Sequence, residues 1–460
     1  MRIDPDITFA ATAELLPRVF ALAAQKVRAV DKRWDPSHGA PVFTVEGKYT
    51  TRAWTQWTQG FQYGAAILLF DAAGDRDPLE LGRQKTLGHM ARHVTHTGAH
   101  DHAFNNLATY GNLRRLMREG RIEHDRWEMA FYEMAIKASA AVQAARWARC
   151  ADGGGYIYSF NGPHSLFVDT MRTLRILGLA HQLGHRLMGE NDRQISLLER
   201  LVQHAVVTAR YIVFYGKSGH TYDVRGRTAH EAIFNPNDGN FRCRSTQQGY
   251  SPFSTWTRGL AWAVLGFAEQ LEFLAAVGTE GFEEVDGVTH AQVVALCKDA
   301  AMATADHFIE GCAAADGIPY WDDGAPGLVQ MGDWRNRAAD PFNDFEPVDS
   351  SAAAIVAQGL LRLGKYLGAS GGRYTRCGLT IAKTLFAEPY LATDTSHEGL
   401  ILHSVYHRPN GWDHIPAGRK VPCGESSMWG DYHALELALM IQRMVEGKPY
   451  YQFFDSEGQA

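Results

Sequence analysis

The sequence predicts an all-α architecture of paired helices, and three observations predict it. Segments of helical period follow one another from end to end. The breaks between them are rich in Gly, Pro and Asn, and strands do not alternate with helices as a parallel sheet would require. In chain order the periodic segments fall near 10–30, 54–72, 78–97, 104–119, 123–148, 165–187, 192–215, 255–276, 288–312, 350–368, 371–388 and 425–446. That is about twelve helices in a chain of 460 residues, which reads as one domain over 1–460. Two stretches, 216–253 and 316–348, are non-helical. In the first, Thr228 to Phe234 and Phe241 to Ser245 flank Asn235-Pro236-Asn237-Asp238-Gly239, which reads as an inserted β-hairpin on an Asp-Gly turn. A toroid of six helical hairpins, at roughly 75 residues each by division of the length, closes such a set. A stacked α-solenoid has the same helix count, but no fixed-period repeat of the solenoid kind is present.

Composition narrows the function classes. At 51.0 kDa and 45% apolar residues the chain can bury a large core. Forty-five basic against fifty-one acidic residues leave a formal charge of -6, so nucleic acid is not an expected partner and an acidic ligand has to be met locally, in a pocket. The six cysteines stand far apart with no C-x-x-C spacing, and no disulfide framework or structural metal is expected. Reduced thiols, with an opening segment that lacks a basic start and an apolar run, give the expectation of a cytoplasmic protein. No window holds eighteen uninterrupted apolar residues, so no membrane span is expected. Phosphate-binding glycine loops, H-E-x-x-H and G-x-S-x-G are absent from suitable contexts. No cofactor is expected.

What remains is a set of acids, aromatics and histidines. Trp54 and Trp57 lie one turn apart at the start of a helix, as sugar-stacking residues would, though two core aromatics on one helix face give the same pattern. His93, His96, His100 and His102 crowd a segment with Asp101, which begins the turn into the next helix. With no cysteine or acidic pair at ligand spacing they read as helix-end and carboxylate partners rather than as a metal site. Asp169 sits in the first turns of the apolar segment Leu166 to Leu183, where an isolated Asp is ordinarily a cap. A helix terminus lowers its pKa, whereas a general acid needs it raised, and Asp101 supplies the like charge if the two meet. Arg258 and Trp262, at i and i+4 of a helix capped by Ser254, present a guanidinium beside an indole. That pair suits a sugar carboxylate, with His230 and Gln248 as added donors, or is simply a packed cation–π pair.

Together these stretches resemble glycoside hydrolase family 88, the unsaturated glucuronyl hydrolases, from roughly Trp54 to Met444. WTQGF at 57–61, HDHAF at 100–104, FVDTMRTL at 167–174, QGYSPFSTWTRGLAW at 248–262, VDSSAAAI at 348–355 and ESSMWGDYHALE at 425–436 are similar to the family's motifs, in its order. The resemblance implies an (α/α)6 barrel and a hydrolysis of the 4,5-unsaturated uronic acid left at a non-reducing end by polysaccharide lyases. An acid protonates C4, water adds at C5 as the same residue turns base, and the hemiketal collapses to free the next sugar. Carried over by position, Asp169 is the acid/base and Asp101 its neighbouring acid. His230, Gln248, Arg258 and Trp262 hold the uronate and ring, with Trp57 stacking from the opposite wall.

Five positions depart from the family pattern. Phe160 stands in Gly155-Tyr156-Ile157-Tyr158-Ser159-Phe160 where a Trp is usual, which alters the subsite next to the unsaturated sugar. Ala103 replaces a Gly, Gln59 an Asp or Asn, and Pro252-Phe253 an acidic pair. The expected function is hydrolysis of unsaturated glucuronyl oligosaccharides from glycosaminoglycan or related lyase products. The alternatives are the related family 105 activity on unsaturated galacturonyl substrates, a sugar epimerase or isomerase on the same barrel, and a barrel that binds without turnover.

Overall fold

The structure is a computed structural model that describes residues 1–454 apart from 55, 283, 284 and 286. Residues 455–460 of the expected domain therefore lie outside the described residues. Twelve barrel helices pair into six hairpins, each an outer helix followed by an inner one. The first three pairs are α1 (Leu16–Arg33) with α2 (Gln59–Ala73), α3 (Arg76–His89) with α4 (102–118), and α5 (Arg126–Ala145) with α6 (170–182). The remaining pairs are α7 (Leu197–Tyr211) with α8 (Thr257–Val277), α9 (His290–His307) with α10 (Ser350–Leu367), and α11 (Gly372–Leu385) with α12 (Met428–Val445). Each inner helix packs on the next, and α12 returns to α2 to close the ring. The expected all-α six-hairpin toroid is what forms, and closure rules out the solenoid.

The residue patterns explain which helices go inside. In α2 every residue from Phe61 to Ala72 except Gln62 is buried, so the helix has no solvent face and belongs in the inner ring. In α1 only Leu16, Val19, Ala23, Lys26 and Val30 are buried, the single stripe of an outer helix. Small residues set the inner spacing: a Cβ on Gly60 would lie 2.4 Å from the Asn105 backbone, and one on Gly359 2.8 Å from the backbone nitrogen of Leu265. Side-chain caps begin several helices, Asp125 accepting from Trp127 and Glu128, Asp349 from Ser351 and Ala352, Ser427 from Gly430. Helix α8 is long and apolar enough to cross a membrane, with 78% of its most apolar window buried inside the barrel.

Several boundaries differ from expectation. The segment expected as one helix from 165 begins as a strand, Ser165–Phe167, which pairs antiparallel with Glu231–Phe234 and so extends to three strands the expected hairpin, whose first strand is Glu231–Phe234 rather than Thr228 to Phe234. Its hydrogen-bonding partner lies far along the chain, and that long-range pairing overrides the local helical period. Helix α8 starts at Thr257 rather than at a Ser254 cap; the Ser254 hydroxyl bonds the Ser251 carbonyl instead. Trp54 lies outside any helix, with φ +68°, and α2 begins five residues later. Helix α4 contains a π-helical turn over Leu107–Gly111, and the segment expected to run to 97 ends at His89, followed by a single turn, Ala91–Val94.

Candidate active site

The motif residues converge at the N-terminal ends of the inner helices. Trp57 precedes α2, Asp101 precedes α4, Asp169 precedes α6, Arg258 opens α8, Asp349 caps α10 and Trp429 opens α12. Ring contacts show that these ends meet. Trp57 lies 5.1 Å from Trp429 and 5.8 Å from Phe104 between centroids, and Phe104 lies 4.9 Å from Trp262. Six helix N-termini facing one space make it favourable to negative charge.

Asp101 and Asp169 are the acids of this space. Neither side chain makes a capping hydrogen bond although each occupies an N-cap position. Burial, and then the charge of Asp169, push the Asp101 carboxyl up to about 8. Arg146, the cation that opposes this, gives its guanidinium to the carbonyls of Thr97, Tyr158 and Ser159. Burial also acts on Asp169 but is outweighed by the approach of the His230 imidazole, whose Nε2 lies 3.5 Å from its Oδ2, and the carboxyl is held below the usual carboxylate value. The two acids thus hold one proton between them at neutral pH, and it rests on Asp101. This inverts the expectation that Asp101 would raise Asp169. The physical reason is the histidine: Asp169 has a donor 3.5 Å away, while the neighbour of Asp101 is a His100 that burial keeps neutral, with a pKa lowered to about 3.

His230 has a defined tautomer. Its Nδ1 accepts from the backbone N–H of Gln247 at 3.0 Å and of Gln248 at 3.3 Å, so Nε2 carries the proton and points it toward Asp169 Oδ2. Phe167 at 4.3 Å and Trp256 at 4.7 Å hold the ring. The strand pairing of Ser165–Phe167 with Glu231–Phe234 places Asp169 and His230 side by side.

Arg258 is brought to the site but is fully engaged there. One Nη donates to Asp349 Oδ2 at 3.1 Å and to the Val405 carbonyl, the other to Gln248 Oε1 and to the Tyr406 carbonyl, each at 2.7 Å. It is buried between Trp256 and Trp429. Its terminal donors are thus spent on protein, and with Oε1 of Gln248 occupied, the amide nitrogen of Gln248 is the group left to donate. Trp262 is 1% exposed, under Phe104 and against His433, so it supports the floor and offers no open ring face. Trp57 is half-buried, and Phe160 is the most open of the expected binding residues at 45%.

The histidine cluster disperses as its reading as structural partners anticipates. His93 meets Asn105, His102 meets Ser139 and the His96 carbonyl, and His100 meets Asp101. A different group, His307, Cys312 and Asp323, brings one nitrogen, one sulfur and one oxygen within 4.8 Å of one another, a donor set that suits a transition metal. Its carboxylate also lies 3.4 Å from Arg227 and takes the Thr255 N–H through its other oxygen. A π-helical turn, Phe308–Cys312, makes the juxtaposition, and the linear spacing of the residues gave no sign of it. Sequence reasoning also missed the 405–413 segment. There Asp413 accepts the backbone N–H of Tyr406 and His407 and so fixes the carbonyls that hold Arg258. Its only cue was a concentration of aromatic and histidine residues.

No family model matches the chain. It is 27% identical over 414 residues to an unsaturated glucuronyl hydrolase of Bacillus sp. (strain GL1), covering 88% of this chain and 90% of the relative. It is 23% identical over 419 residues, 89% and 86% of the two chains, to an unsaturated chondroitin disaccharide hydrolase of Streptococcus pyogenes serotype M1. Among solved structures, an Asp-to-Asn variant of the unsaturated glucuronyl hydrolase of Streptococcus agalactiae complexed with dGlcA-GalNAc6S superposes with a TM-score of 0.65 at 18% identity. It covers 98% of this chain and 100% of that one. The resemblance carried by the six motifs thus extends over most of the chain.

Proposed function

We propose that this chain is an unsaturated glucuronyl hydrolase of the family 88 type, which removes a 4,5-unsaturated glucuronic acid from the non-reducing end of glycosaminoglycan-type oligosaccharides. The observation that carries this reading is the pair of acids at the convergent helix N-termini, Asp101 pushed up to about 8 by burial and by the charge of Asp169, and Asp169 held low beside His230. Hydration of a vinyl ether needs a carboxylic acid that is still protonated at neutral pH and a carboxylate that can receive a proton back. The pair supplies both.

In this reading the substrate carboxylate is drawn by the helix termini and met by the Gln248 amide, while Trp57 and Phe160 pack on the sugar faces. A third negative charge beside the pair raises the proton affinity of both acids, so that the bound state includes a protonated Asp169. Asp169 then protonates C4. Water adds at C5 and returns its proton to Asp169, leaving a hemiketal that opens and releases the next sugar. One water is consumed, the carbon–carbon double bond is lost and the glycosidic link is broken. The Nε2–H of His230 orients Asp169 throughout. Arg258 acts through others, aiming Gln248 and fastening the segment that carries Tyr406.

We further read 1–460 as one catalytic domain, because every hairpin contributes to the same ring, and place it in the cytoplasm, a reading supported by six cysteines that are all unpaired. The test of the function is the ultraviolet absorbance of the conjugated double bond in an unsaturated chondroitin or hyaluronan disaccharide. Loss with the wild type and none with Asp169→Asn is the expected result. Persistence of the absorbance with wild-type protein on every unsaturated uronide overturns the reading.

A further inference from the structure

Phe160, read above as a wall for the substrate, continues outward into a residue to which the reaction gives no role. The indole of Trp54 is 84% exposed and stands edge-on to Phe160, with centroids 6.1 Å apart and planes at 82°. Phe160 in turn stacks on His100 at 6.1 Å and 26°, and His100 Nε2 lies 3.2 Å from Asp101. Three rings therefore lead in single file from the acid pair to the mouth, each step comparable to the size of a pyranose.

Two features of Trp54 are unfavourable for the fold alone. Its φ of +68° is a left-handed conformation that a bulky L-residue seldom adopts, and its large apolar ring is held in water. The loop is nevertheless fastened on both sides of it. Before it, the Arg52 guanidinium lies 4.7 Å over the Trp412 ring. After it, the Gln56 carbonyl accepts from Asn105 Nδ2 at 3.1 Å, and the Thr58 hydroxyl donates to the Pro41 carbonyl at 2.8 Å. A braced loop that carries a strained, exposed indole beside the substrate wall is organised to present that ring.

We propose that Trp54, with Phe160, forms a distal sugar subsite that takes the second sugar beyond the bond that breaks, so that longer unsaturated oligosaccharides are held better than disaccharides. The ligand class is a pyranose presenting a C–H face, which packs on an indole as apolar surface does. The inference rests on the functional reading above and adds chain-length selectivity to it. A disaccharide ends before it reaches Trp54; a tetrasaccharide does not.

The test uses Asp169→Asn protein, in which binding can be followed without turnover, and compares by calorimetry an unsaturated hyaluronan disaccharide with the tetrasaccharide. The tetrasaccharide is expected to bind more tightly. Adding Trp54→Ala is expected to weaken its binding on the order of tenfold and bring the ratio of the two Kd values toward one, with Trp54→Phe recovering part of the difference. A Kd ratio that Trp54→Ala leaves unchanged overturns the subsite, as does one near unity before any substitution at 54. Because Trp54 is exposed, its removal leaves the core intact, and circular dichroism verifies this. The two claims fail separately: an inactive wild type whose Asp169→Asn form still discriminates by length loses the reaction and keeps the subsite. A wild type that destroys the double bond with no length discrimination loses the subsite alone.

Discussion

Two groups of buried charges occupy the same barrel and behave in opposite ways. Deeper along the inner helices, Arg172 donates to Glu269 and to Glu436, Arg362 pairs with Glu272 at 2.7 Å, and Tyr451 donates to Glu436 at 2.9 Å. Burial raises the Glu436 pKa, but the charges of Arg172 and Arg175 outweigh it and hold the group down at about 2. At the mouth, Asp101 and Asp169, the latter one helical turn before Arg172, are slightly more open and have no arginine of their own. Burial and mutual repulsion push Asp101 up to about 8. Pairing, rather than burial, separates the two regions. Below, every acid has a cation and the network holds helices α6, α8, α10 and α12 together. Above, the charges are left short of partners, at a cost to the fold that only chemistry repays.

That contrast can be broken or sharpened by substitution. The largest effect is expected from Asp169→Asn, which removes the proton carrier and should lower kcat by a factor on the order of 10²–10⁴ with thermal unfolding unchanged or slightly delayed. A kcat within tenfold of the wild type would take Asp169 out of the reaction. In the paired region Arg172→Met takes away the ion-pair partner of Glu436 and leaves Glu269 to Arg175 and Arg362, and is expected to cost about 3–5 kcal/mol in urea unfolding. A stability loss under 1 kcal/mol would erase the distinction between the regions. Arg258→Lys keeps the charge but not the four-way fork, and should raise KM by roughly tenfold, with a smaller effect on kcat. A pure kcat effect would mean that Arg258 serves the transition state directly.

The smallest effect is a stability change with a definite sign. A carboxyl that titrates near 8 in the native state and near 3.9 when unfolded keeps its proton longer in the folded protein, so stability falls as pH rises between those values. Asp101→Asn lacks this dependence. Its Tm should match the wild type at pH 4 and exceed it by a few degrees at pH 8; a gain of equal size at both would show that Asp101 is not the protonated member.

The helices were legible because their signal is local: the 3.6 period of outer helices such as α1 and α7, and the Asp-Gly turn at Asp238-Gly239, need no distant partner. The Ser165–Phe167 strand was not, since its partner begins at Glu231, and its apolar residues suit either state. Asp101, Asp169, His230 and Gln248 were placed in one site by motif order. What they do there depends on geometry: the direction of the pKa shifts follows from a histidine tautomer fixed by two backbone N–H groups. The surroundings of Arg258 and Trp262 were hidden in the same way. Helical spacing put them side by side, but only the fold shows that Val405 and Tyr406 consume the guanidinium and that Phe104 covers the indole.

The central claim is that one proton, shared by Asp101 and Asp169, is the proton delivered to the substrate. Its most direct test is the pH dependence of kcat/KM for loss of the conjugated absorbance of an unsaturated disaccharide by wild-type protein, from pH 5 to 10. The account predicts a plateau that falls through a single ionisation near pH 8, where the pair loses its proton. A rate that stays level or rises through that range would contradict it.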